Sequence, residues 1–223
     1  GLGQEGYRAA KLKVGHRSLD EDVTLVQAVR RVLSPEIALR LDANQAWELD
    51  TAEAFAERLG GCSIQYVEEP LRDPRQLPRF LDRTGCPYAL DETLLRAGKA
   101  AERRDDFAAD AWIETVRNAA ALVWKPSLNH YPNVGGLGRP RPSRTPVVVS
   151  AAFESGVGTA VLANYAAAYC GAGTPVGLDT YHWLADDVLE TPLPLSGGSV
   201  AVDALDSAAA HIDKSKLEAV WQS

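Results

Sequence analysis

The feature that most constrains this chain is a series of short apolar runs, each ending in a charged residue. Lys11-Leu12-Lys13 comes first, followed by Asp42 after Leu39-Arg40-Leu41 and Glu68 after Gln65-Tyr66-Val67. Asp91 closes Tyr88-Ala89-Leu90, and Lys125 closes Leu122-Val123-Trp124. The runs are rich in Val, Ile, Leu and Ala and mostly continuous, the pattern of parallel strands buried on both faces. It predicts strands over 10–14, 38–42, 63–68, 88–91, 120–125, 147–150 and 176–178. Helices are predicted between several of them. Residues 18–33 place Val23, Val26, Val29 and Leu33 on one face, with Asp20, Glu21 and Asp22 at the favourable N-terminal end. Residues 50–59 repeat the pattern with Ala52, Phe55, Ala56 and Leu59 and stop at Gly60-Gly61. Shorter or Ala-rich helices are expected over 73–84 and 158–171.

From Lys13 to Asp179 the strand ends recur roughly every 23 to 34 residues, about one βα unit of a (β/α)₈ barrel. A doubly wound open sheet is the competitor, but no Gly-rich phosphate turn follows the first strand. The expected fold class is therefore α/β, a TIM barrel, over residues 1–195 with a tail over 196–223. Only seven strands are counted, so at least one is expected to lie on the N-terminal side of this sequence. The chain opens on Gly1 and contains no Met, the pattern of a fragment or a processed chain. Residues 129–146 carry Pro132, Pro140, Pro142 and Pro146 among clustered glycines, which rules out a regular helix throughout that crossover.

Composition narrows the function. With 223 residues the chain can bury one substantial core, and a net charge of −7 argues against a nucleic-acid or anionic-membrane surface. No apolar run is long enough to span a bilayer and no secretory signal opens the chain. Cys62, Cys86 and Cys170 lack metal-site spacing and suit reduced thiols in the cytoplasm.

The strand ends also carry chemistry. Asp42, Glu68 and Asp91 are hard oxygen donors on consecutive strands, and three carboxylates at one mouth repel each other unless a cation joins them. Mg²⁺ is the expected ion, with Mn²⁺ as the substitute. Lys11 and Lys13 lie two apart on one strand and share a face, so each is expected to lower the other's pKa and ready one as a base. Lys125 falls on the opposite wall. The set suits removal of a proton next to a carboxylate. Glu69 and Glu92 neighbour the ligands, but strand alternation points them away, as supporting or surface groups.

At these residues the sequence resembles the enolase superfamily, in its muconate-lactonizing branch, and within that the o-succinylbenzoate synthases. The matching stretches are Lys11 to Gly15, Leu41 to Trp47, Val67 to Pro70, Leu90 to Thr93 and Trp124 to Pro126. Ser150 to Gly158 and Gly177 to Thr180 resemble stretches that line the substrate in those synthases. The resemblance implies a (β/α)₇β-type barrel and Mg²⁺ on Asp42, Glu68 and Asp91. It implies a syn dehydration through an enediolate, in which Lys13 removes the α-proton and then helps hydroxide leave. It assigns Lys125 to electrostatic support on the other face, Lys11 to tuning Lys13, and Asn44 to the metal end. Ser150, Ser155 and Gly156 become substrate contacts. The substrate class is a small carboxylate, and the pathway implied is menaquinone or phylloquinone biosynthesis.

The resemblance also implies an N-terminal capping domain, which is expected to be missing from this sequence, and Ser150-Ala151-Ala152 stands where many of those synthases have a serine run. Two other readings follow. Lysines on both faces suit an N-succinylamino acid racemase or related epimerase, while the absent cap suits a non-catalytic barrel fragment.

Overall fold

The computed structural model describes residues 2–94, 109–128, 145–195 and 197–217. The proline-rich stretch lies outside these residues except for Thr145 and Pro146.

Six strands form one parallel sheet in chain order: β1 (Ala9–Lys13), β2 (Ala38–Asp42), β3 (Tyr66–Glu68), β4 (Tyr88–Leu90), β5 (Ala121–Trp124) and β6 (Val147–Val149). Between them run α1 (Leu19–Val32), α2 (Leu49–Leu59), α3 (Leu77–Thr84) and α4 (Ala109–Asn118). After β6 come α5 (Gly156–Tyr169) and α6 (Val202–Ala209). A parallel neighbour needs a crossover, and helices on one face of a curled sheet are how an α/β barrel wall is built.

Register explains both layers. Ala9 pairs with Ala38 and Lys13 with Asp42, while Asp42 pairs with Glu68. Glu68 pairs with Ala89, and Ala89 with Ala121. Because side chains alternate, one parity faces the concave side and the other the helices. Tyr66, Ala89, Ala121, Val123 and Val148 form the inner cluster. Arg40 joins them, its guanidinium 5.3 Å from the Tyr66 ring centre. The opposite parity supplies Leu39, Leu41, Val67, Tyr88, Leu90 and Leu122 to an outer core beneath α1 to α4. A second outer core gathers Trp124, Val149, Leu162, Leu178 and Leu205 under α5 and α6.

Local sequence sets the helices. Ser18 caps α1 through a reciprocal box: its hydroxyl accepts from the Glu21 N–H at 3.4 Å, and its own N–H donates to Glu21 Oε2 at 3.0 Å. The helix expected over 73–84 divides into a 3₁₀ turn at Pro74–Gln76 and α3, because Asp73 caps the turn and proline follows at its start.

The strand expected over 176–178 is reduced to one parallel bridge between Ser150 and Gly177. Gly177 donates to Val149 O at 2.9 Å and accepts from the Ala151 N–H at 2.8 Å, after which the chain enters a 3₁₀ turn at Asp179–Trp183. Pairing thus lasts for one residue only. Residues 197–217 pack against the rest: Leu205 is fully buried in the second outer core, and Leu189 bridges Ile212 in antiparallel fashion.

Candidate active site

Equal register places the Lys13, Asp42 and Glu68 positions level on the concave side. Asp91 lies two residues past Ala89, the partner of Glu68, and Lys125 follows Trp124 at the end of β5. Each even step keeps the same parity, so the charged ends remain on one face as the sheet curls.

The side chains form two sets of contacts. Lys11 Nζ donates to Asp42 Oδ2 at 2.9 Å and Glu68 Oε1 at 3.1 Å. Lys13 Nζ reaches the same Asp42 oxygen at 2.7 Å and also donates to Asn44 Oδ1. Lys125 Nζ donates to Asp91 Oδ2 from the other end of the row. Asp42, Glu68 and Asp91 are 1%, 1% and 4% exposed, and each is faced by an ammonium group. Asn44 Nδ2 donates to Glu92 Oε1 at 2.9 Å.

Electrostatics corrects one expectation. Burial works against the Lys11 ammonium, but Glu68 and Asp42 outweigh it and hold its pKa above the ordinary lysine value. Lys125 is likewise raised, because Asp91 overcomes the cost of burial. The mutual lowering expected of the lysine pair therefore does not depress Lys11, because it is bonded to two carboxylates. Burial tends to raise Asp42, yet Lys11 and Lys13 bring it below the usual carboxylate range. Glu68 is pushed up to about 8 by burial, against the pull of Lys11 and with added repulsion from Asp42 and Asp91.

Among the described residues no three acidic, His or Cys groups stand as a ready-made metal cluster, since each carboxylate is turned to a lysine. The donor set nonetheless fits a hard divalent cation. It consists of three buried carboxylates on neighbouring strand ends, with charge that the lysines now balance.

Ser150 extends the site. The β5–β6 register pairs Trp124 with Val149, which sets Ser150 level with Lys125. Ser155 and Gly156 have other partners: the Ser155 hydroxyl caps α5 by accepting from the Gly158 N–H at 3.4 Å. Gly156 N–H donates to the Asp187 carboxylate at 2.9 Å, and Tyr181 Oη donates to that carboxylate at 2.9 Å. A Cβ at Gly156 would lie 2.4 Å from Leu189 Cδ1, so close packing explains the glycine. A cavity of about 430 Å³ lies elsewhere, between Tyr7, Arg8 and Ala9 on one side and Val176, Leu178 and Asp179 on the other.

Sequence reasoning missed a buried network behind the carboxylates. Glu69 is fully buried, at φ +45°, a left-handed conformation that costs about 1–3 kcal/mol outside glycine. Its Oε1 accepts from the N–H groups of Asp91 at 2.7 Å and Thr93 at 2.8 Å. Its Oε2 accepts from Thr93 Oγ1 at 2.6 Å and Gln45 Nε2 at 2.8 Å. Asn44 and Gln45 are left-handed as well, at φ +47° and +59°. The positive φ breaks the strand alternation at Glu69, which is why period-two reasoning misplaces it.

Comparison with known proteins places this architecture in a class. Residues 2–112 match the family described as enolase C-terminal domain-like. The chain is 32% identical over 225 residues to the o-succinylbenzoate synthase of Thermobifida fusca (strain YX), covering all of this chain and 68% of that protein. It is 36% identical over 213 residues to Protein PHYLLO, chloroplastic, of Arabidopsis thaliana, covering 86% of this chain and 12% of that protein. The crystal structure of MenC from Desulfotalea psychrophila LSv54 superposes with a TM-score of 0.67 at 28% identity, over 87% of this chain and 52% of that one. Fold and strand-end charges thus define an enolase-superfamily α/β protein. Within that superfamily the chain belongs to the o-succinylbenzoate synthase family, and it spans between 12% and 68% of the length of the two curated relatives described.

Proposed function

We propose that the strand-end cluster is the active site of a Mg²⁺-dependent carbon–oxygen lyase acting in the cytoplasm. Its reaction is dehydration of 2-succinyl-6-hydroxy-2,4-cyclohexadiene-1-carboxylate to o-succinylbenzoate, a step of menaquinone or phylloquinone biosynthesis. The observation that carries this is the row of three buried carboxylates with lysines entering from both ends. Asp42, Glu68 and Asp91 would hold the Mg²⁺, for which Mn²⁺ can substitute. The bound cation supplies positive charge for a substrate carboxylate whose α-carbon loses its proton. Lys13, at the more exposed end of the row, removes that proton and returns it to the departing hydroxyl. Lys11 neutralises Asp42 and Glu68, Lys125 presents an ammonium from the Asp91 end, and Asn44 orients Lys13 through its side-chain oxygen. Ser150, level with Lys125, offers a hydroxyl to the substrate, while Ser155 and Gly156 shape the wall behind it.

The decisive assay follows loss of the cyclohexadiene by absorbance, with and without Mg²⁺. Turnover is expected to require the metal and to fall at least about 10²-fold in Lys13→Ala. No turnover at saturating Mg²⁺ overturns the lyase reading and leaves the racemase or a non-catalytic barrel. The two-ended arrangement of lysines also favours a second reading, racemisation of an N-succinylamino acid. Exchange of the α-proton for deuterium without elimination is its signature.

A further inference from the structure

The network around Glu69 sits behind the proposed cation site and reaches Asp91 through that residue's backbone N–H. Three features coincide there. A fully buried acidic side chain accepts four hydrogen bonds. Three left-handed non-glycine residues, Asn44, Gln45 and Glu69, occupy the turns after β2 and β3. The backbone bonds interlock the same turns: Gln45 N–H donates to Glu69 O at 2.7 Å, Ala43 N–H to Glu68 O at 3.0 Å, and Glu69 N–H to Ala89 O at 3.0 Å. One of the four donors to the Glu69 side chain is the N–H of Asp91 itself.

We propose that Glu69 is a positioning residue whose hydrogen bonds tie the turn after β3 to those after β2 and β4, fixing the spacing of Asp42, Glu68 and Asp91. This rests on the reading of those carboxylates as cation ligands. Left-handed turns would relax if released; Asp42 and Glu68 end paired strands, whereas Asp91 stands one residue past β4, so its distance from the other two depends on the tie. Mg²⁺ demands near-ideal octahedral geometry, whereas Ca²⁺ accepts variable distances and coordination numbers. A loosened site therefore loses Mg²⁺ more than Ca²⁺. Hydrogen bonding, rather than charge, carries the function. A glutamine in place of Glu69 can accept the two backbone N–H groups with its oxygen and donate to Thr93 Oγ1, with the Gln45 amide turned to accept its second hydrogen.

The test is calorimetric titration of the full chain with Mg²⁺ and separately with Ca²⁺, for the unaltered protein, Glu69→Gln, Glu69→Leu and Thr93→Val. Glu69→Leu is expected to bind Mg²⁺ about 10–100-fold more weakly, with a smaller loss for Ca²⁺. Glu69→Gln is expected to stay close to the unaltered chain, and Thr93→Val to shift in the direction of the leucine variant. Should Glu69→Leu not fold, Thr93→Val decides, since it keeps the side-chain volume and removes the hydroxyl that links Glu69 to Gln45. Equal losses of Mg²⁺ and Ca²⁺, or unaltered Mg²⁺ binding in both Glu69→Leu and Thr93→Val, overturn the proposal while leaving the cation site standing. Absence of saturable Mg²⁺ binding in the unaltered chain overturns the cation site and this inference together.

Discussion

Replacing Lys11 by Met tests whether the carboxylate row depends on its lysines, because Met keeps the apolar stem and removes only the charge. The ammonium stands 2.9 Å from Asp42 Oδ2 and 3.1 Å from Glu68 Oε1, and both acids are 1% exposed. At an effective dielectric near 20 each pair has a gross attraction of about 5 kcal/mol. Most of that is offset by the desolvation of the ions, and stripping one partner from a buried pair costs about 3–5 kcal/mol. The Lys11 side chain is 36% exposed, so water and salt screen it. Glu68, pushed up to about 8, already holds a proton most of the time at neutral pH, so the Asp42 pair carries most of the effect. The expected net loss is therefore about 2–3 kcal/mol. For a chain of this size that lowers the melting temperature by about 5–10 °C. At the proposed cation site saturating Mg²⁺ would supply the missing positive charge, and a ligand that binds only the folded state stabilises it by mass action, so the gap between the two proteins is expected to narrow. Paired thermal melts at neutral pH and low salt, with and without Mg²⁺, measure both effects. Equal melting temperatures without metal, or a gap that Mg²⁺ leaves unchanged, refute the reasoning.

Ser155→Ala removes the α5 cap and is expected to cost about 1 kcal/mol in urea denaturation. If that hydroxyl serves only as a cap, turnover at saturating substrate stays within error of the unaltered chain. Leu205→Ala empties a fully buried position between α5 and α6 and is expected to cost about 2–4 kcal/mol, read from the shift in the urea midpoint. Burial pushes the Cys86 thiol up to about 11, so iodoacetamide labelling followed by peptide mass spectrometry is expected to find Cys86 slower than Cys62 at mildly alkaline pH. Since an unfolded thiol ionises near about 8.5, the neutral Cys86 contributes its full stability below that pH and loses it as pH rises through about 11.

The parallel strands and the row of charges were legible because both depend on local pattern: an apolar run, its parity and a charged last residue. Lys11, Lys13, Asp42, Glu68, Asp91 and Lys125 needed only equal register to meet on one face. What escaped the sequence depends on backbone states or distant partners. Glu69 looks like an outward residue until its positive φ turns it into the wall between β3 and β4. Residues 176–178 carry strand-like side chains, yet only Gly177 finds a ladder partner. Asp22 reads as a favourable charge at the start of α1. The structure buries it completely, and Gly15 N–H donates to it at 2.6 Å across seven residues of chain. Asp187 gave no local signal at all, because the N–H groups and hydroxyl that hold it belong to α5 and the turn after Gly177.

The two outer cores divide within a single strand: Leu122 belongs to the first and Trp124, two residues later, to the second. Cooperative units of a protein follow such packing boundaries, so the two outer cores are expected to exchange their amide protons as two bodies, with the line between them in β5. Lys13 rides on one body and Lys125 at the edge of the other, with the Lys125–Asp91 contact spanning the line. That contact therefore ties the two bodies at the site, beside the inner cluster that runs from β3 to β6.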